Sequence, residues 1–194
     1  MTILAEMARL EAHNAVLRVL VRHPNLLERR AFEDLRGAIA ALVPFRRLAI
    51  LVSEGADQRR VHAIDTVHGT DEPLPFGSRI SGSTRVSNAV FIDQQPSFCD
   101  DTRLGSELDR AAARSGVLSY LALPIRKGEH EGGRRVVAEL VLGFAEVGAA
   151  RNAPIPLLQE LADLIGTALD RSLRLTRDKR LSLILKTSSD AMVA

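Results

Sequence analysis

The spacing of apolar residues changes along the chain, and each change marks an element. Ile3, Met7, Leu10, Asn14, Leu17 and Val21 follow alternating four- and three-residue steps, the seam of a two-stranded helical coil. Residues Ile3 to Arg22 are therefore expected as one helix, stopped by Pro24. Asn14 falls on an a-type position, where a buried amide sets register between paired helices; on a surface helix it would be solvated. A second helix is expected from about Ala31 to Val43, with Phe32, Leu35, Ile39 and Leu42 on one face and Pro44 behind it. Then the period shortens. Leu48-Ala49-Ile50-Leu51-Val52 is a continuous apolar run, the mark of a strand covered on both faces. Gly55 and Asp57 turn the chain, and Val61 to Val67 alternates as the returning strand of a hairpin.

From His68 to Gly116 the pattern turns irregular and polar, with Pro73, Pro75, Gly77, Gly82 and Pro96. Ser83 can cap a short helix carrying Val86, Ala89 and Val90; Ser106 can cap another carrying Leu108, Ala111 and Ala112, ended by Gly116. Loosely ordered chain of this length inside a domain suits a binding or lid region. Regular alternation returns at Val117 to Ile125: Val117, Ser119, Leu121, Leu123 and Ile125 share one face, and Leu118, Tyr120 and Ala122 the other. A charged hairpin loop, Lys127 to Gly133, leads to a strand from Val136 to Phe144. Asn152 and Pro154 then open a helix whose stripe of Leu158, Leu161, Ile165, Ala168 and Leu175 runs past the domain body. Between Asp170 and Arg180 it carries five basic and two acidic residues, a solvated face.

Composition narrows the function classes. The 194 residues hold 26 basic and 24 acidic side chains, a net charge of +2, so no strong field for nucleic acid is present. One tyrosine, six phenylalanines and no tryptophan leave few platforms on which bases could stack. No stretch is apolar for the 18 residues of a membrane span, and the chain reads as a soluble, cytoplasmic protein. A single cysteine, Cys99, excludes an internal disulfide and a two-cysteine redox cycle. Phosphate-binding glycine loops, dinucleotide fingerprints, zinc-protease helices and nucleophile elbows are all missing. The weak pair His62 and His68 lacks metal-ligand company. Asp93, Asp100, Asp101, Glu107 and Asp109 do cluster, and loop solvation with a helix start accounts for them. Like charge from Asp100 and Asp101 should raise the Cys99 thiol pKa, which argues against a nucleophile.

The order of these segments resembles a GAF domain. The resemblance rests on the helix and strand from Leu35 to Val52, and on Gly77-Ser78-Arg79-Ile80, Ser83-Thr84-Arg85-Val86, Gln94-Gln95-Pro96 and Asp100-Asp101. It continues through Ser115-Gly116-Val117-Leu118-Ser119-Tyr120-Leu121-Ala122-Leu123-Pro124-Ile125, Leu140 to Phe144, and Leu158 to Leu169. It implies an α+β, PAS/profilin-like fold: a central antiparallel six-stranded sheet with N- and C-terminal helices packed on one face. The irregular middle would close over a small-molecule pocket on the other face. Residues 1–30 would be a dimerising linker helix, 31–172 the GAF domain, and 173–194 a signalling helix leading to a further output domain. Leu181 to Ala194 looks like the opening of a PAS domain.

Such modules sense small molecules in histidine kinases and sigma-54-dependent activators. Here the resemblance implies a non-catalytic sensor, with a ligand-free dimerisation scaffold as the alternative reading and an enzyme the least supported. The nucleotide-binding signature of some members is absent. Methionine-sulfoxide-reducing members use several cysteines, and bilin-binding members place theirs on a helix or loop, whereas Cys99 sits on an expected strand. No cofactor is expected. Iron-sensing members use carboxylates with an arginine, for which Asp93, Asp100, Asp109 and Arg103 would serve. The pocket candidates are Phe91, Phe98, Arg103, Ser119 and Tyr120, with Arg103 as an anion clamp. Core packing is the competing account of both phenylalanines, and a surface position or structural hydrogen bond that of Arg103 and Tyr120. A parallel homodimer would bury Met7, Leu10, Asn14, Leu17 and Val21 with Leu161, Ile165, Ala168 and Leu175, and pass a shift along the exit helix.

Overall fold

The computed structural model describes residues 3–53, 58–65, 79–81, 84–130 and 133–191. The turn at Gly55 and Asp57, the segment around His68, Pro73, Pro75 and Gly77, the Ser83 cap and the last three residues lie outside them. In chain order the elements are α1 (Ile3–Arg22), α2 (Arg29–Ala40), β1 (Arg47–Ser53), β2 (Gln58–Asp65), β3 (Arg79–Ser81) and α3 (Arg85–Asn88). A π-helical turn (Ala89–Asp93), β4 (Ser97–Cys99), a 3-10 turn (Thr102–Leu104), α4 (Glu107–Arg114), β5 (Ser119–His130) and β6 (Gly133–Phe144) follow. A second 3-10 turn (Ala149–Asn152) leads into α5 (Ile155–Ala191).

The strands lie in the order β3-β2-β1-β6-β5-β4, every neighbouring pair antiparallel. Four of them are long, and a three-residue strand closes each edge. Period-two alternation sends Leu48, Ile50 and Val52 of β1, Leu121, Leu123 and Ile125 of β5, and Leu140, Leu142 and Phe144 of β6 to one face. There they meet Phe32, Leu35 and Ile39 of α2 and Leu158, Leu161, Ile165 and Leu169 of α5 in the main core. α1 forms an outer layer on α2 and α5, contributing Val16, Val19 and Leu20. Burying each such side chain contributes roughly 1.5–3 kcal/mol, so this layered face dominates stability.

Close packing of α5 on β5 requires Gly166, because a Cβ there would run into the carbonyl oxygen of Arg126. The backbone N–H of Leu26, buried where α1 joins α2, donates to Ser172 Oγ at 2.8 Å. That hydroxyl donates in turn to the Ala168 carbonyl at 3.0 Å. Arg9 Nε bonds Glu160 at 2.9 Å and Arg171 Nη2 bonds the Leu20 carbonyl at 3.1 Å. Both pairs span 151 positions, so α1 and α5 run parallel, side by side.

Three expectations need correction. Leu161, Ile165 and Ala168 are not seam residues for a second chain, because α5 turns them onto its own sheet. The Lys127–Gly133 loop is mostly strand: the β5–β6 ladder continues to His130 and Gly133 through two register shifts. The PAS-like opening has no counterpart, since residues 181–191 continue α5 unbroken.

Candidate functional site

The sheet face turned away from α2 and α5 is where side chains of mixed chemistry converge. Tyr120 and Ala122 come from β5, Val136, Glu139 and Val141 from β6, and Cys99 from β4. Above them lie α3 and the π-helical turn. Thr84 starts α3, its hydroxyl accepting from the Ser87 N–H at 3.0 Å. That start aims Val86 and Ser87 at the sheet. The π-helical turn that follows, a geometry found often at functional sites, brings Val90 and Phe91 over the same surface. Val86, Val90, Tyr120, Ala122 and Val136 pack together, with Phe91, Cys99 and Val141 at the margin.

Among the described residues, two hydrogen-bonded polar pairs are sealed into this face. Glu139, 2% exposed, accepts from Ser87 Oγ at 3.0 Å. Tyr120 donates its phenol to Asp109 Oδ1 at 2.7 Å. The other carboxylate oxygen, Oδ2, accepts from the Ser106 N–H and hydroxyl, each at 2.7 Å. Ser106 and Asp109 thus form the capping box of α4, and α4 is pinned to the sheet through Tyr120. Burial, with Asp109 beside it, holds the Tyr120 phenol well above its ordinary range. The Cys99 thiol is pushed up to about 11, first by burial and then by Asp109. A protonated thiol and a protonated phenol make neither nucleophile nor base at neutral pH. This face combines a buried carboxylate, hydroxyls and an apolar floor.

The sequence candidates divide. Tyr120 and Phe91 share this face. Phe98 does not: it pairs with Leu121 across the β4–β5 ladder, so it faces the main core, under Arg151 at 5.4 Å from its ring. Ser119 shares that face, donating to the Glu146 carbonyl at 2.6 Å and tying β5 to the turn before α5. Arg103 is an exposed partner of Asp101, at 2.9 and 2.7 Å, and its charge is spent there rather than in a clamp. Asp100 is held in the same way by Arg151, at 2.7 Å twice. These arginine hydrogen bonds lower the pKa of both aspartates. Among the described residues no group of three metal-ligating side chains converges; of the carboxylates noted in the sequence, Asp109 caps α4 and Asp100 and Asp101 pair with Arg151 and Arg103. Reading the sequence missed Glu139 and Ser87. The available signal was a lone carboxylate inside an otherwise apolar strand, Val136 to Phe144.

No protein-family model and no curated protein matches the sequence. Solved structures do match in shape. The free methionine-R-sulfoxide reductase of Neisseria meningitidis, determined with its substrate, is 13% identical, with a TM-score of 0.61 over 90% of this chain and 95% of that one. The GAF domain of an Acinetobacter phosphoenolpyruvate-protein phosphotransferase is 11% identical, with a TM-score of 0.60 over 91% and 99%. The GAF domain of a sensor histidine kinase from Bacillus halodurans is 18% identical, with a TM-score of 0.55 over 75% and 94%. An antiparallel sheet, terminal helices layered on one of its faces and short helices over the other give this chain the GAF fold.

Proposed function

We propose that the chain is a non-catalytic sensor module: it binds a small molecule on the sheet face beneath α3 and regulates an output domain in a signalling or transcription-regulating protein, of the histidine kinase or sigma-54-activator type. The observation that carries this is Glu139, a carboxylate 2% exposed and held by Ser87 on that face. Ligand sites pair an apolar lining with a few placed polar groups, and Glu139 and Ser87 set among Val86, Val90, Ala122 and Val141 make that combination. The Neisseria enzyme of the same fold was determined in complex with its substrate, and the Bacillus domain belongs to a sensor histidine kinase. Transmission would run from β5 into α5, which packs along it and is tied to it by Lys127 and Asp170 at 2.7 Å.

A thermal-shift screen against nucleotides, oxoacids, amino-acid derivatives and divalent metals tests the reading. A ligand at a hundred times its Kd adds about 2.7 kcal/mol, which for a domain of this size raises Tm by roughly 5–10 °C. Glu139→Gln should reduce that rise. No stabilising compound at millimolar concentration, or a rise indifferent to Glu139→Gln, would overturn the sensor assignment to this face. The open apolar row on α1 favours the second reading, a ligand-free dimerising scaffold.

A further inference from the structure

The outer face of α1 is apolar and open. Met7, Leu10, Leu17 and Val21 are between 41% and 83% exposed, in a single row of three- and four-residue steps with Asn14 exposed at its middle. The row cannot turn inward, because the opposite side of the same helix is already buried through Ala12, Val16, Val19 and Leu20. The Arg9–Glu160 and Arg171–Leu20 bonds fix its rotation on α5. A helix with apolar residues on both sides calls for a second packing partner, and this spacing is that of a helix-on-helix seam.

The charges beside the row select the partner and its direction. Glu11 and Arg18 stand exposed on one flank; Glu6 and His13 lie on the other, against Arg9 and Glu160. In a parallel pair each flank meets the opposite flank of its mate. Glu11 would then face Glu6 of the second copy, and Arg18 would face His13, both unfavourable or neutral. In an antiparallel pair like flanks meet, and Glu11 falls opposite Arg18 twice about one two-fold axis. We infer that α1 pairs antiparallel with α1 of a second copy of this chain. The axis passes beside Asn14, with Met7 near the second copy's Val21 and Leu10 near its Leu17. The interface is isologous and closes on itself. Because α5 runs parallel to α1 within one chain, the two exit helices of such a dimer leave in opposite directions, not side by side as a parallel seam would have it. This inference does not rest on ligand binding.

Sedimentation velocity on the full chain should show a dimer, weakened at least tenfold by Leu17→Glu, with unchanged circular dichroism because the site is at the surface. In a Cys99→Ala background, a short bis-maleimide should link a mixture of Met7→Cys and Val21→Cys chains to each other but not Val21→Cys chains to themselves. A monomer at high concentration, or a dimer indifferent to Leu17→Glu, overturns the interface. Efficient self-linking of Val21→Cys, without mixed product, overturns the antiparallel direction. None of these readings depends on the thermal-shift screen, so the two proposals fail separately.

Discussion

Replacing Tyr120 by Phe removes one hydroxyl and leaves the ring in place. That hydroxyl donates to Asp109 at 2.7 Å, with the tyrosine 9% and the aspartate 7% exposed. Hydrogen bonds to a charged group contribute roughly 1.5–3 kcal/mol net. Ser106 still serves the other carboxylate oxygen, so about 2 kcal/mol is expected, seen as a lower urea midpoint with an unchanged slope. Asp109→Asn combined with Tyr120→Phe should show a coupling of about 1 kcal/mol or more. The pH dependence follows from the raised phenol pKa. The folded state holds the proton more tightly than the unfolded chain, whose tyrosine titrates near 10. The hydroxyl's contribution is therefore full below pH 10 and is lost as pH rises above it. The chain has one tyrosine and no tryptophan, so phenolate absorbance reports this residue alone and should appear only with alkaline unfolding. A reversible phenolate titration near pH 10 in the folded protein, or a Tyr120→Phe change below about 0.5 kcal/mol, would refute the reasoning.

Other expectations follow from the same packing. Gly166→Ala should destabilise by about 2–3 kcal/mol, read in urea or heat, since α5 must lift off the Arg126 carbonyl. Ser172→Ala leaves the buried Leu26 N–H without its acceptor and should cost about 1–3 kcal/mol in the same assays. Cys99, with its thiol pKa pushed up to about 11, should be alkylated at pH 8 at least tenfold more slowly in the folded protein than in urea, after allowing for the greater nucleophilicity of a more basic thiolate. Equal rates would mean the thiol is neither buried nor near Asp109.

Much of the fold was legible because its signals are local. The heptad row from Ile3 to Val21 and the helix it predicts end at Pro24, and α1 indeed closes at Arg22. Ser106 and Gly116 bracket α4 through cap chemistry that needs only neighbouring residues. The alternation of β5 put Ser119 with Leu121 and Tyr120 with Ala122, which the sheet reproduces. The site was harder. Phe98 is two residues beyond Pro96, too short a strand for alternation to reveal its side, and only its pairing with Leu121 decides it. Arg103 was judged by charge, but its partner Asp101 is a neighbour that consumes it. Glu139 gained its meaning from Ser87, 52 positions away.

By itself, then, the sequence determined the helices and the central parts of the long strands, and that one seam of α1 is apolar, because periodicity and caps are properties of adjacent residues; the strand that extends to His130 and the short edge strand Arg79–Ser81 it did not show. Only the tertiary structure decided which way each seam turns. α5 laid Leu161, Ile165 and Ala168 on its own sheet, while α1, anchored through Val16 and Leu20, was left with Met7, Leu10 and Val21 facing water. Two helices with like seams ended on opposite sides of the burial line because only one of them lies against the sheet, and that is a fact of packing between distant parts of the chain.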